Sequence, residues 1–167
     1  ALPQAYALDD APAFERFFFV TSDAPFSLEE VLAPARVLAA FPLNPILPAQ
    51  DGARAEAFYR DVLGLRQLSP PGADPMAFGA GNGTMVVLSE LRDREPPAYP
   101  VVAFLVQGIE DIVRSLEDRG VDFVAPDAAS FAGVEAVRRG HVLDFGAVRS
   151  AWLRDSEGNV LALNELT

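Results

Sequence analysis

From residue 44 onward, short apolar runs alternate with amphipathic stretches that end at a glycine. The run NPILP (44–48) precedes one such stretch at 53–63, and the run VVAFLV (101–106) precedes a second at 109–121. Apolar residues spaced three or four apart predict a helix in each amphipathic stretch, and the apolar runs predict strands. The pattern therefore predicts a strand followed by a helix, twice in the same chain.

Further strand signals follow each predicted helix. After the first helix, a strand starts at 66–68, and segments 75–80 and 84–90 predict a hairpin closed around Gly81-Asn82-Gly83. After the second helix, strands are predicted at 122–125, 141–144, 148–154 and 159–166. The Ala- and Gly-rich segment 126–140 predicts a loop at the edge of a cavity.

Two of these predicted strands share a sequence. GTMVVLSEL at 83–91 matches GNVLALNEL at 158–166, and the match aligns Glu90 with Glu165. Gly158 ends a predicted turn before the second copy, where a residue with positive φ is needed. The echo indicates two copies of one module, which could pair about a pseudo-twofold axis and share one core.

The N-terminal segment, residues 1–42, lies outside this repeat. ERFFFVT at 15–21 has the aromatic and β-branched composition of a strand. Ser27 and Glu30 form an S-x-x-E capping box, which predicts a helix that starts at Leu28. This β–α extension could cover a sheet edge or bind a partner, and the sequence leaves both open.

Three segments carry a resemblance to a known family: FYRDVLGL, AFLVQGIEDIVRSLEDRGVDF and AWLRDSEGNVLAL. In this order they resemble the glyoxalase/bleomycin-resistance/dioxygenase family, the vicinal oxygen chelate superfamily. The resemblance implies an α+β fold in which two βαβββ modules form a curved mixed sheet around a central cavity. It implies one such domain at 43–167, with modules at 43–92 and 99–167. It implies no substrate, because this fold hosts many chemistries.

The resemblance also implies where a metal ion would bind. In metal-dependent members, four strands each place one His, Glu or Gln on a central divalent ion, and the matching positions here are Asn44, Val87, Val101 and Ala162. Val and Ala side chains carry no lone pair, and an amide is a poor ligand for a transition metal. We therefore predict no metal and no other cofactor, which argues against glyoxalase, epimerase, fosfomycin-transferase and extradiol dioxygenase activities.

Strand alternation divides the residues of the predicted strands between two faces. Residues in step with those four positions should face the cavity: Asn44, Ile46, Pro48, Met85, Val87, Ser89, Val101, Ala103, Leu105, Val160, Ala162 and Asn164. The opposite set should pack under the helices: Leu47, Val86, Leu88, Val102, Phe104, Val106, Leu161 and Leu163. The first set is mostly small and apolar with a few polar points. It suits a pocket for an organic molecule and, almost equally, a cavity closed by side chains.

Other residues are candidates for chemistry. His141, the only histidine, is a candidate general base, although a lone histidine that opens a strand is more often a surface residue. Trp152 and Phe145 could stack on a planar ligand or pack in the core. Glu90 and Glu165 could form a carboxylate pair for acid–base work or simply end their strands. We include His141 and Trp152 among the predicted pocket residues and assign no catalytic residue.

Composition excludes several classes of partner. The formal net charge of −11 repels phosphate backbones and anionic membrane surfaces, so no nucleic acid and no membrane are expected. No apolar run reaches the roughly 18–20 residues of a membrane span, and no signal peptide is evident. The absence of cysteine fits a cytoplasmic location, and the Lys-free, Ala- and Arg-rich composition suggests a bacterial source. The family resemblance and the apolar surplus of the chain suggest a homodimer.

Three functions remain open. The chain could bind a small organic molecule without chemistry, as in the bleomycin-resistance branch, where acidic charge would suit a cationic ligand and aromatic content a planar one. It could be a lyase, isomerase or dioxygenase of the same family that uses a displaced metal or His141. It could also be a structural or regulatory module with a vestigial cavity. The four metal positions without strong ligands favour the first.

Overall fold

The structure is a computed structural model that describes residues 43–126 and 136–167. The predicted extension at 1–42, with its strand and helix, lies outside the described residues, as do residues 127–135 of the predicted loop. The described residues have an α+β architecture with two mixed sheets, which confirms the predicted fold class. No helix among them is long and apolar enough to cross a membrane.

The first module follows the order βαβββ. Strand β1 (Ile46–Ala49) leads into helix α1 (Gly52–Ala57), which continues as a π-helical turn (Phe58–Val62). The module is completed by strands β2 (Arg66–Gln67), β3 (Met76–Gly79) and β4 (Met85–Glu90). The sheet order is β1-β4-β3-β2, with β1 parallel to β4 and the other neighbours antiparallel.

Local chemistry sets the ends of the first helix. The Asp51 side chain accepts a hydrogen bond from the Arg54 backbone N–H at 3.0 Å and so caps the first turn. At the other end the Leu63 N–H donates to the Phe58 carbonyl at 2.9 Å, which is the wider π spacing. The predicted helix is therefore confirmed, with its last turn wound as π.

The second module repeats this order with one insertion. It opens with strand β5 (Pro100–Leu105), helix α2 (Ile109–Glu117) and strand β6 (Phe123–Val124). It closes with strands β7 (Val137–Arg139), β8 (Val142–Asp144), β9 (Val148–Arg154) and β10 (Val160–Leu166). The sheet order is β5-β10-β9-β8-β7, with β5 parallel to β10. Strand β6 pairs with the part of β9 that β8 leaves uncovered.

Strand β7 corrects the sequence-based prediction, which places a loop over all of 126–140. Val137, Arg138 and Arg139 are all exposed, so they lack the alternation of buried and polar positions that indicates a strand. Hydrogen bonds with β8 alone hold β7 in the sheet. Such a strand has no signature in the hydrophobic pattern.

The two faces of each sheet differ as strand alternation predicts. The residues predicted to lie under the helices form one buried core with Tyr59 of the π turn and Ile109 of α2. Those fully buried are Leu47, Val86, Leu88, Leu161 and Leu163, and those partly buried against them are Val102, Phe104 and Val106. The predicted register of the closing strands is therefore confirmed.

A turn of the second module packs against the start of α1 in the first. The buried Glu157 carboxylate accepts hydrogen bonds from the backbone N–H groups of Gln50 and Asp51 at 2.7 and 2.9 Å. It also accepts from Arg54 Nε at 2.8 Å. The carboxylate thus satisfies N–H groups at the start of a helix that is distant in sequence.

Two more hydrogen bonds join the same turn to the first module. The Tyr59 hydroxyl donates to Asp155 Oδ2 at 2.8 Å, and Asn159 Nδ2 donates to the Pro48 carbonyl at 3.0 Å. Burial, and then the Asp155 carboxylate, raise the pKa of Tyr59 well above its ordinary value, so the hydroxyl remains a donor. We name these contacts, together with those of Glu157, the inter-module latch.

Gly158 gives this turn its shape. Its φ is 83°, and its N–H donates to the Asp155 carbonyl at 3.2 Å. A Cβ at this position would lie 2.8 Å from Pro96 Cγ, so both the backbone conformation and the space require glycine.

Opposing effects act on the pKa of Glu157. Burial acts to raise it, whereas the hydrogen bonds from Arg54 and from the backbone of Asp51 and Gln50 lower it, and the net shift is downward. A group whose pKa is lower in the folded state contributes stability above its unfolded-state pKa. That stability is lost as the pH falls through the folded-state value.

We predict that Glu157→Gln lowers the free energy of unfolding at pH 7 by about 1.5–3 kcal/mol, because charge-assisted hydrogen bonds are lost. The difference from the wild type should shrink as the pH falls below about 4.3, the ordinary glutamate pKa. Urea denaturation across this pH range measures both effects. Glu95→Gln is the control, since Glu95 is exposed and the change in charge is the same. Equal stabilities of the two variants would contradict the prediction.

Candidate functional site

One face of the second sheet carries an open pocket of about 530 Å³. We name it the second-module pocket. Its lining comes from β5, β9, β10 and the turn before β9: Pro100, Val101, Val102, Ala103, Phe145, Val148, Ser150, Trp152, Ala162 and Asn164. Most of these side chains are apolar, and Ser150 and Asn164 are the polar points.

The polar side chains of this pocket form a short chain of hydrogen bonds. Trp152 Nε1 donates to Ser150 Oγ at 3.2 Å, and the Ser150 hydroxyl donates to Asn164 Oδ1 at 2.8 Å. Ser150 is buried, whereas Asn164 is partly exposed to the cavity. The indole is therefore held against the polar side of the pocket.

A second cavity, of about 490 Å³, lies between β5 and the β3–β4 turn of the first module. We name it the inter-module pocket. Its lining is largely apolar: Leu43, Pro45, Ala80, Gly81, Asn82, Thr84, Met85, Val86 and residues 101–105. The two pockets adjoin along β5, since Val101, Val102 and Ala103 contribute to both.

Charge is missing from both linings. Among the described residues that line either pocket, none is Asp, Glu, Arg or His. The net charge of −11 therefore resides elsewhere on the molecule. This geometry favours an uncharged ligand over the cationic one that the composition suggests. A charged group in an apolar pocket would lose its hydration without gaining an oppositely charged partner.

Seven of the predicted pocket residues line one of the two cavities. They are Met85, Val101, Ala103, Leu105, Trp152, Ala162 and Asn164. The others lie apart from the cavity linings. Ile46 is 62% exposed, Val160 is fully buried, Ser89 is half-buried, and Val87 packs in a small cluster with Ala77.

His141 is not among the residues that line these two pockets. Its ring stacks on Phe123 with centroids 4.9 Å apart, and its Nε2 lies 3.0 Å from Glu117 Oε1. Glu117 belongs to α2, on the helix side of the second sheet. The sequence did not show which side chains of β8 lie on which face of the sheet, because every residue of the neighbouring strand β7 is exposed.

The two echoed glutamates lie near the starts of the two helices. Glu165 accepts a hydrogen bond from the Gly108 N–H, where α2 begins, and another from Arg149 Nη1 at 2.8 Å. Glu90 lies beside Gly52, at the start of α1, where an added Cβ would approach its Oε1 within 2.7 Å. Both closing strands thus end next to the helix of their own module.

Sequence reasoning missed the residues that organise this region. Ser150 lies directly opposite Asn164 in the register of β9 and β10, and alternation from Trp152 would have found it. Glu157 had no such signal, because its partner Arg54 is 103 positions away in the chain.

The four positions that the resemblance assigns to metal ligands do not offer a fitting donor set. Asn44 Oδ1 already accepts a hydrogen bond from the Met85 N–H at 3.2 Å. Val87, Val101 and Ala162 present only hydrocarbon. Across residues 43–126 and 136–167, no group of three or more His, Asp or Glu side chains is placed to hold a metal ion. We derive no metal-dependent step from this site.

Comparisons with known proteins agree with the architecture. Residues 43–73 match the family described as bleomycin resistance protein-like N-terminal. None of the curated proteins compared with this chain matches it.

Several solved structures share the fold. A glyoxalase family protein from Bacillus anthracis has a TM-score of 0.54 at 18% identity, over 74% of this chain and 93% of that one. The lactoylglutathione lyase from Agrobacterium tumefaciens has a TM-score of 0.52 at 19% identity, over 75% and 92%. The fosfomycin resistance protein FosX from Listeria monocytogenes has a TM-score of 0.54 at 16% identity, over 76% and 91%. At these identities the similarity establishes the fold alone.

Proposed function

Since this chain has the fold of the glyoxalase/bleomycin-resistance/dioxygenase superfamily, we propose that it binds a small organic molecule between its two modules without a resident metal ion. The observation that carries the proposal is the second-module pocket, which adjoins the inter-module pocket along β5. Its lining is apolar and uncharged, with Ser150 and Asn164 as polar anchors, which is the usual composition of a ligand site. Its volume of about 530 Å³ suits a molecule of a few fused rings.

The donor chemistry supports a metal-free site. The four family ligand positions supply one amide and three hydrocarbon side chains, and the amide oxygen of Asn44 is engaged with the Met85 N–H. The metal-dependent chemistry that the family resemblance implies therefore has no matching ligands at these positions.

We predict that the purified full-length chain retains far less than one equivalent of Zn, Mn, Fe or Ni after dialysis. Elemental analysis by mass spectrometry measures this directly. About one ion per chain that survives dialysis would overturn the metal-free proposal.

Two other functions are distinguished by experiment. A family enzyme that uses His141 would need that side chain at the ligand, and its contacts with Phe123 and Glu117 support a structural role instead. A module with a vestigial cavity would show no ligand-induced stabilisation. A ligand that binds only the native state raises stability by RT ln(1 + [L]/Kd) and therefore raises the melting temperature.

Two neighbouring residues offer a matched test of the pocket. Ala162 lines the second-module pocket opposite Trp152, whereas Leu163 belongs to the core under the helices. We predict that Ala162→Trp abolishes ligand binding at a stability cost of roughly 1–3 kcal/mol or less. Leu163→Ala should preserve binding and lower the free energy of unfolding by about 2–5 kcal/mol.

Thermal-shift screening with neutral, cationic and planar compounds, followed by calorimetry and urea denaturation, measures both properties. If Ala162→Trp binds as the wild type does, the ligand site lies elsewhere. If Leu163→Ala is benign while Ala162→Trp unfolds the chain, the assigned faces of β10 are exchanged.

A homodimer also remains part of the proposal. Large apolar side chains are exposed near the edge strands β1 and β5, among them Ile46, Tyr99 and Leu105 at 62%, 67% and 71%. Exposed large apolar residues at sheet edges are consistent with an interface. We predict a dimer in sedimentation experiments at micromolar concentration, and a monomer alone would contradict it. A cytoplasmic location, suggested by the absence of cysteine, stays a prediction.

A further inference from the structure

The hydrogen bonds of the second-module pocket run in one direction. Ser150 lies opposite Asn164 across β9 and β10, and Trp152 lies opposite Ala162. Because these pairs are two residues apart on each strand, all four side chains share the face that lines the pocket.

The indole fixes the direction of the first of these bonds. An indole N–H can only donate, so Ser150 Oγ must be the acceptor of the 3.2 Å bond from Trp152. The Ser150 hydroxyl carries one hydrogen of its own, which it donates to Asn164 Oδ1 at 2.8 Å. The acceptor oxygen of the Asn164 amide is therefore engaged with the pocket wall.

The other half of the Asn164 amide is a pair of N–H donors. No hydrogen bond among the described residues uses Asn164 Nδ2, and Asn164 is partly exposed where it lines the pocket. A carbonyl oxygen, with two lone pairs and no hydrogen, is the natural partner for such donors. A ligand group that can only donate would find no acceptor there.

The surrounding lining limits the rest of the ligand. Val101, Ala103 and Ala162 supply small hydrocarbon surfaces, and the aromatic rings of Trp152 and Phe145 also line the cavity. Such surfaces suit flat aromatic rings. Because none of the described residues that line this pocket is charged, an ionic ligand would lose its hydration there without gaining an ion pair from them.

We propose that the second-module pocket selects an uncharged, planar aromatic molecule that carries a carbonyl group, such as an aromatic ketone or quinone. Asn164 is the specificity-determining residue, because its amide N–H groups donate to that carbonyl. Ser150 and Trp152 are positioning residues that hold the amide oxygen away from the ligand. This inference rests on the proposed ligand-binding function of the same pocket.

A pair of matched probes tests the proposal. 9-Fluorenone and fluorene have the same fused-ring shape and no charge, but only fluorenone carries a carbonyl. Their Kd values are measured by quenching of Trp152, the single tryptophan of the chain, and by calorimetry. The wild type should bind fluorenone about five- to tenfold more tightly than fluorene, which is the worth of one net hydrogen bond.

Two variants assign this preference to Asn164. Asn164→Leu should weaken fluorenone binding about five- to tenfold without weakening fluorene binding, so the preference disappears. Asn164→Asp keeps an acceptor for Ser150 and the size of the side chain but has no N–H donor, so it should lose the preference as well. Thermal unfolding of each variant checks that it is folded, and either variant alone suffices for the test.

The outcomes separate this inference from the function on which it rests. Equal affinities in the wild type, a preference that survives both variants, or tighter binding of the cation 9-aminofluorene would overturn the inference. In any of these three cases, loss of probe binding in Ala162→Trp would still support the proposed function, ligand binding at this pocket. If neither probe binds but another screened compound does, the inference fails alone. If no compound binds or stabilises the chain, both fail.

Discussion

The structure depends on one carboxylate that is held between the two modules. Glu157 is 4% exposed, and it remains charged because the start of α1 offers it backbone N–H groups and the Arg54 guanidinium. Without such partners a buried carboxylate would cost several kcal/mol, so the turn and the helix hold each other in place. In the described part of the chain the two sheets share no strand pairing. The inter-module latch and the common core therefore set the distance between the modules and the width of the inter-module pocket.

The first module lacks the counterpart of this contact. The sequence echo aligns Asn82 with Glu157, and Asn82 lies in the exposed turn Gly81–Gly83 that borders the inter-module pocket. The start of α2 is satisfied from its own module instead, by Glu165 at Gly108. The turn before β10 is thus bonded to the other module, whereas the equivalent turn before β4 is exposed and borders the inter-module pocket. Strand β5 lines both pockets. A symmetric pair would leave less room for a ligand.

The repeated module and the two faces of each strand could be predicted from the sequence, because both produce a periodic pattern of residues. Ala162 and Leu163 are neighbours that alternation assigns to opposite faces, and they line the pocket and the core respectively. The inter-module latch could not be predicted, because the residues that it joins are far apart in the chain and belong to no repeating pattern. The contacts of His141 with Phe123 and Glu117 could not be predicted either, because a single histidine belongs to no repeating pattern. The direction of the hydrogen bonds at Asn164 likewise depends on two neighbouring side chains and could not be read from one strand.

The latch also fixes the length of the chain along the first helix. Asp51 and Tyr59 contact the same turn, through Glu157 and Asp155, from opposite ends of that helix. Each residue inserted between them would rotate everything beyond it by about 100° and shift it by about 1.5 Å, which carries the Tyr59 hydroxyl away from its acceptor. An insertion or deletion within 51–59 would therefore separate one of these two contacts from its partner. Relatives that keep this contact should therefore differ there by substitution alone, however much their loops vary in length.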